Sequence, residues 1–302
     1  MTLDRSDNAS FSAQTLTLRL LASYLAVTAF PVIRHGFTGG ASAVVAAFHV
    51  SVLAAVLALL ATRPTRRPYA SWVPLVLWPA LYAEMPFVIA ALGGTLHDAA
   101  VQSWEGLLFR GQPASTLASA LPSSALSELL HLGYLAYYPI IYLPPLFLFV
   151  RRRDQAFADT VLAVTAVWLV CLGAFAVYPV AGPRYLLGDP PHVPHGPVRT
   201  FAVWLLERAS SRGTAFPSSH VAVSVAQTLT ALRFQRTVGL VTAVATALLA
   251  VGAVYSGFHY AIDVAAGGAL GALGVWAVGV RARYRAHIAS ARWSPRSHVE
   301  GA

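Results

Sequence analysis

Eight long apolar stretches, joined by segments whose Lys/Arg positions are all arginine, constrain this chain more than any other feature. They run at about 15–33, 41–62, 71–93, 127–150, 158–180, 218–233, 238–256 and 259–281. Roughly 20 apolar residues cross a bilayer as a helix. In lipid, every backbone polar group must find its partner within the protein, and a continuous helix does this inside one segment. Charged residues make up 11% of the chain, against about 25% in soluble domains. The expected fold is therefore all-α, a polytopic transmembrane helical bundle of six to eight spans, with 1–302 forming a single integral membrane domain. Residues 1–14 read as a polar tail without the short apolar core and cleavage pattern of a signal peptide, so no removal is expected.

The formal net charge is +9. Its arginines cluster between and after the apolar stretches, which is the pattern of topology signals and not of a nucleic-acid-binding face. No nucleic-acid partner is expected. The single cysteine, Cys171, lies inside an apolar run; it excludes an intrachain disulfide and a thiolate cluster.

Arginine placement also predicts orientation. Arg63, Arg66 and Arg67 follow the second stretch, and Arg151, Arg152 and Arg153 follow the fourth. Arg233 and Arg236 follow the sixth, and Arg281, Arg283, Arg285, Arg292 and Arg296 follow the eighth. In an eight-span topology these positions share one side, which the positive-inside rule makes cytoplasmic, together with both termini. The opposite, outer side receives the long segment 181–217 with Arg184, Arg199, Arg208 and Arg212. It also receives the starts of the sixth and eighth stretches.

Those two starts carry the polar chemistry. His259 and Asp263 are four residues apart, which on a helix places them on one face, one turn apart. A carboxylate there can hold one ring nitrogen and leave the other free. The histidine is then equipped to act as a base, a metal ligand or a nucleophile. His220 follows Phe216-Pro217-Ser218-Ser219. Two crossings separate it from His259, so both return to the same face. Ser218 and Ser219 open a helix whose free N–H groups favour an anion, and arginine binds phosphate oxygens through a charged planar fork. Such groups together make a metal-free phosphoryl-transfer site, with a neutral histidine as nucleophile and a protonated one as acid. No His-x-x-x-His pair or cysteine ligand supports a metal, and no cofactor is expected.

Phe216-Pro217-Ser218-Ser219-His220 resembles the second motif of the type 2 phosphatidic acid phosphatase (PAP2) superfamily, usually Pro-Ser-Gly-His. His259-Tyr260-Ala261-Ile262-Asp263, followed by Gly267 and Gly268, resembles the third. Pro179-Val180-Ala181-Gly182-Pro183-Arg184 resembles the first. The resemblance covers roughly 175–280, within a catalytic core of about 158–281. It implies His259 as the nucleophile that forms a phosphohistidine, Asp263 as its orienter and His220 as the general acid. Arg184, Ser218 and the amide of Ser219 would hold the phosphoryl oxygens of a lipid phosphate or phospholipid.

Two positions depart from that pattern. Ala253 stands where the third motif carries an Arg, and Val177 where the first carries a Lys. Arg212 or Arg199 is the available replacement. Similar losses occur in the branch resembling inositol phosphorylceramide synthases, which pass a phosphorylated head group to a lipid alcohol. Trp104 to Tyr138, with His131-Leu132-Gly133-Tyr134, leans the same way. Three functions follow as expectations: a lipid phosphatase, a head-group transferase, or a non-catalytic lipid-binding or transport protein with a degenerate site.

Elsewhere the expectations are structural. Glu84, inside the third stretch, needs a partner on another span, and His49 reads as a satisfied core histidine. Segment 94–126 is too polar to span and is expected as a short helix at the outer interface. Arg199, Arg208 and Arg212 are expected to meet lipid head groups. Trp72, Trp78, Trp104, Tyr137, Tyr138 and Tyr142 suit interfacial belts.

Overall fold

The structure, a computed structural model, describes residues 5–61, 68–188 and 192–291. Arg63, Arg66, Arg67, Arg292 and Arg296 of the topology argument lie outside the described residues. These residues form fourteen α-helices in order: α1 (Arg5–Gly36), α2 (Gly40–Ala61), α3 (Trp72–Ala83), α4 (Met85–Ala91), α5 (Asp98–Phe109), α6 (Pro113–Ala120), α7 (Ser124–Leu135), α8 (Tyr137–Val150), α9 (Asp154–Val177), α10 (Pro183–Leu186), α11 (Pro197–Ala209), α12 (Ser219–Phe234), α13 (Arg236–Tyr255) and α14 (Ala261–Ala291), counted among the described residues. Among the described residues the only β pairing outside helices is a bridge between Val180 and Thr214.

Among the described residues five helices are long and apolar enough to cross a membrane alone, and up to seven spans result if the bent pairs α3–α4 and α7–α8 each count as one. The bends, 59° and 44°, have a local cause. Pro86 opens α4 and Pro139 lies two residues into α8, and proline removes a helical N–H and crowds the preceding turn. The sixth apolar stretch becomes α12, which has 16 residues. At 1.5 Å per residue that is about 24 Å, short of a hydrocarbon core of about 30 Å.

Helix α9 is the axis of the bundle. Phe157, Val164, Cys171, Leu172 and Phe175 along it are fully buried, and α1, α12 and α14 pack around it. Two glycines bring α14 against α12. A Cβ at Gly267 would strike the carbonyl of Ser218, and one at Gly271 the carbonyl of Ala222. Small residues at four-residue spacing allow this approach of backbones. It aligns the starts of the two helices, where the amide of Ser218 donates to the carbonyl of Asp263 (3.0 Å).

His49 and Glu84 form a buried pair, with Nδ1 3.1 Å from Oε1. The other ring nitrogen lies 3.0 Å from the carbonyl of Leu25 and 3.2 Å from the hydroxyl of Thr28. Both expectations hold, with Glu84 at the bend between α3 and α4. The aromatic belt needs correction. Trp78 is buried and stacks on Trp168 at 5.0 Å, and Tyr137 packs its ring 4.2 Å from that of His220. Large apolar surfaces on two helices give these rings a drier site than an interface.

Candidate active site

The three motif segments meet at one end of the bundle. Val180 donates to the carbonyl of Gly213 (3.2 Å), and its own carbonyl accepts from Ala215 (2.9 Å). This short bridge ties the segment before Arg184 to the segment before His220. Gly182, at φ +95°, turns the chain into α10, a conformation an L side chain rarely adopts.

Ser218 caps α12: its hydroxyl accepts from the N–H of Val221 at 3.4 Å. Cap placement puts His220 in the first turn. The ring of His220 stacks on that of Tyr134, centroids 5.1 Å apart, and Nε2 lies 3.3 Å from the Tyr134 hydroxyl. The rings of His220 and His259 are 5.8 Å apart.

His259 is not on a helix, contrary to the expectation from its spacing. It sits in the turn between α13 and α14, and α14 starts at Ala261. Its backbone N–H and that of Phe258 both donate to the carbonyl of Ala253, closing the end of α13. Asp263 lies in the first turn of α14, and its Oδ2 accepts the N–H of Tyr260 at 2.9 Å. That is the return arm of a capping box, which satisfies an amide at the helix start. The same oxygen lies 3.4 Å from Nδ1 of His259. The pairing expected of the two residues is therefore present, made by a turn and a cap and not by one helix face.

A narrow cavity of about 30 Å³ lies between the histidines. Its lining includes Tyr82, Tyr134, Arg184, Tyr185, Thr214, His220 and His259. Arg184 is the one cationic side chain among the described residues that line it. The guanidinium lies over the ring of Tyr185 at 4.6 Å and donates to its hydroxyl at 3.2 Å. Tyr185 in turn bonds Ser210 (3.1 Å), and Tyr82 bonds Thr214 (2.8 Å). Ser218 and Ser219 are buried beside the cavity without lining it. Arg212 is exposed, its guanidinium 6.0 Å from the Tyr185 ring, and also outside the lining.

Arg199 requires correction. It is buried, and NH1 donates to the carbonyl of Val193 at 3.0 Å, so it meets no head group. Its backbone N–H, with that of Val198, donates to the carboxylate of Glu128 (3.1 and 2.8 Å). An anion at the start of α11 satisfies free amides there. Arg208 stays exposed against Trp204.

Segment 94–126 folds into two helices at this end of the bundle, not one. Asp98 and Glu105, unremarked as site residues in the sequence, are buried in α5. Burial pushes the carboxyl of Glu105 above its usual range, partly offset by backbone N–H groups of Ala261 and Ile262. Among the described residues no group of three His, Cys, Asp or Glu side chains is arranged to hold a metal ion.

The sequence pattern of the PAP2 superfamily matches residues 99–277, more than half of the 302-residue chain. The chain belongs to the PAP2 superfamily. The match begins in α5, well before the expected 158–281 core, so the PAP2 region takes in α5 to α8 as well as the motif-bearing helices. Membership agrees with an all-helical membrane protein and with phosphoesterase or phosphotransferase chemistry. No curated relative and no solved structure matches the chain.

Proposed function

We propose that this PAP2 protein transfers a phosphoryl group from a membrane lipid phosphate, or a phosphate-linked head group, through a covalent phosphohistidine at His259. The observation that carries the reading is the meeting of His259, His220 and Arg184 around one cavity, with Asp263 against Nδ1 of His259. A carboxylate at Nδ1 directs the lone pair of Nε2 toward a substrate.

In the first step the Nε2 lone pair attacks phosphorus and the bond to the leaving oxygen breaks. His220 gives that oxygen its proton. In the second, water or an alcohol attacks phosphorus, the P–N bond breaks, and His220 takes the proton back. Arg184 neutralises charge on the phosphoryl oxygens throughout, and positioning with charge stabilisation supplies most of the rate. Ser218 and the amide of Ser219 contribute donors once the cleft widens to admit a phosphate; Arg212 approaches from the rim. With the short α12 counted as an eighth crossing, arginine placement supports a cytoplasmic location for both termini and an outward-facing site.

Hydrolysis is the first reading. Transfer to a lipid alcohol is close behind, favoured by a specific observation: one guanidinium lines the cavity, while Val177 and Ala253 occupy two positions where the superfamily places cations. One positive charge matches a singly charged phosphodiester better than a doubly charged monoester.

Purified protein incubated with a labelled lipid phosphate, with and without inositol or a lipid alcohol, tests both. Labelled His259 after acid-free trapping is expected. Phosphate release indifferent to the acceptor overturns the transferase reading. A His259→Ala variant with full biological activity overturns catalysis and favours a lipid-binding or transport role.

A further inference from the structure

Helix α5 is amphipathic in reverse. Asp98, Gln102 and Glu105, spaced i, i+4, i+7, face the protein, while Leu107, Leu108 and Phe109 are 81%, 66% and 48% exposed. A helix in this register suits an interfacial position, apolar side to lipid and polar side to protein. The polar side reaches the first and third motif segments, and Trp104 and Val101 reach the second. Oδ2 of Asp98 accepts the N–H of Ala181 at 2.8 Å, and Oδ1 accepts the N–H of Gly182 at 2.9 Å. These two residues precede Pro183 and Arg184. Oδ1 also accepts the hydroxyl of Tyr260 (3.4 Å), which Gln102 contacts at 2.9 Å. Tyr260 follows His259 and donates its own N–H to Asp263. Glu105 accepts from the N–H of Ile262 at 3.4 Å. Trp104 stacks on Tyr178 and meets Phe216 edge-on, and Val101 packs with Val180, Ala215 and Tyr260.

We propose that α5 is the clamp that holds the three motif segments in reacting geometry, with Asp98 as its main positioning residue. Asp98 does not itself line the cavity; it bonds the amide of Ala181, which does, and acts through Arg184 on one side and through the Tyr260–Asp263–His259 turn on the other. One buried carboxylate thus couples the phosphate-holding group to the nucleophile. The inference rests on the assignment of His259 and Arg184 to phosphoryl transfer. The physical reason for a clamp is the character of the segments it joins. Both Val180–Gly182 and Phe258–Tyr260 are loops, and a misplacement of about 1 Å in a reacting group costs about 100-fold in rate.

The test uses the full chain in lipid nanodiscs with short-chain phosphatidic acid as probe. Asp98→Asn keeps the shape but turns an amide toward two N–H donors. It is expected to lower kcat/KM by about 10- to 100-fold. Arg184→Ala is expected to cost far less in the Asp98→Asn background than alone, because the guanidinium is already displaced; shared partners make losses non-additive. A merely structural Asp98 lowers the yield of folded protein and leaves the two losses to multiply, which overturns the proposal. So does an Asp98→Asn enzyme within about twofold of the parent. If Asp98→Asn does not fold, Tyr260→Phe removes the hydroxyl that donates to Asp98 and accepts from Gln102. It should slow labelling of His259 by about 5- to 30-fold, the worth of the one to two hydrogen bonds lost; an unchanged rate overturns the clamp. His259→Ala is run beside them. Activity in that variant overturns both readings, whereas an inactive His259→Ala with a normal Asp98→Asn overturns this one alone.

Discussion

The hydroxyl of Tyr134 lies 3.3 Å from Nε2 of His220, and the phenol ring stacks on the imidazole with centroids 5.1 Å apart. Tyr134 is thus both a wall of the cavity and the group that sets the tilt of the proposed acid. Replacing Tyr134 by Phe keeps the stack and removes the hydrogen bond. We expect kcat to fall about fivefold, corresponding to about 1 kcal/mol, with KM nearly unchanged. Steady-state kinetics on a lipid phosphate check this.

His259 and His220 should separate by leaving group. His259→Ala should lose activity by several orders of magnitude on every substrate, because nothing else around the cavity replaces a nucleophile. His220→Ala should lose about 100-fold or more on an alkyl phosphate and recover most of that on a nitrophenyl ester, whose leaving oxygen needs no proton. Equal losses on both substrates for both variants would show the role assignment to be wrong.

Ala253 cannot be restored to the superfamily's arginine by substitution. Its side chain is fully buried among Tyr134, Leu206, Val221, Leu249 and Phe258. Ala253→Arg is expected to lower stability by at least about 1–3 kcal/mol through overpacking, with a further cost for an unpaired buried charge, and to give no gain in turnover. Thermal unfolding in detergent and an activity assay on the same preparation decide it; higher kcat would mean that the packing around this site yields.

The His49–Glu84 pair should matter for folding and not for chemistry. Both side chains are nearly inaccessible, and the pair links α2 to the bend between α3 and α4. Glu84→Gln or His49→Ala is expected to cost about 3–5 kcal/mol, since breaking a buried pair strands its partner. Turnover per folded molecule should be unchanged. Unfolding midpoints together with active-site titration by trapped label separate the two effects.

Much of the fold was legible from hydrophobic length alone, because a bilayer leaves a 20-residue apolar segment few alternatives to a helix. The pairing of Glu84 with another span was legible for the same reason: a carboxylate at that depth needs a partner. The residues His220, His259, Asp263 and Arg184 stood out as costly polar groups at the ends of apolar stretches. What misled was local geometry. Four-residue spacing suggested one helix face for His259 and Asp263, yet the chain turns at Gly257, at φ +67°, and the carboxylate reaches back from the first turn of α14. Arg199 looked interfacial because arginine in an outer loop usually is, and only packing against Glu128 and Val193 made it internal.

By itself the sequence determined a helical membrane protein of the PAP2 superfamily and singled out two histidines, a carboxylate and an arginine as its candidate site. Those properties follow from segment length, charge and motif order, which are local or topological. Tertiary structure decided which groups meet. It placed Arg184 and three tyrosines on one cavity with the histidines, kept Ser218 and Ser219 just outside its lining, and set Asp98 beneath two loops more than 80 residues away in the chain. Contacts of that kind depend on the angle and depth at which helices pack, and neither hydrophobic period nor motif spacing carries that information.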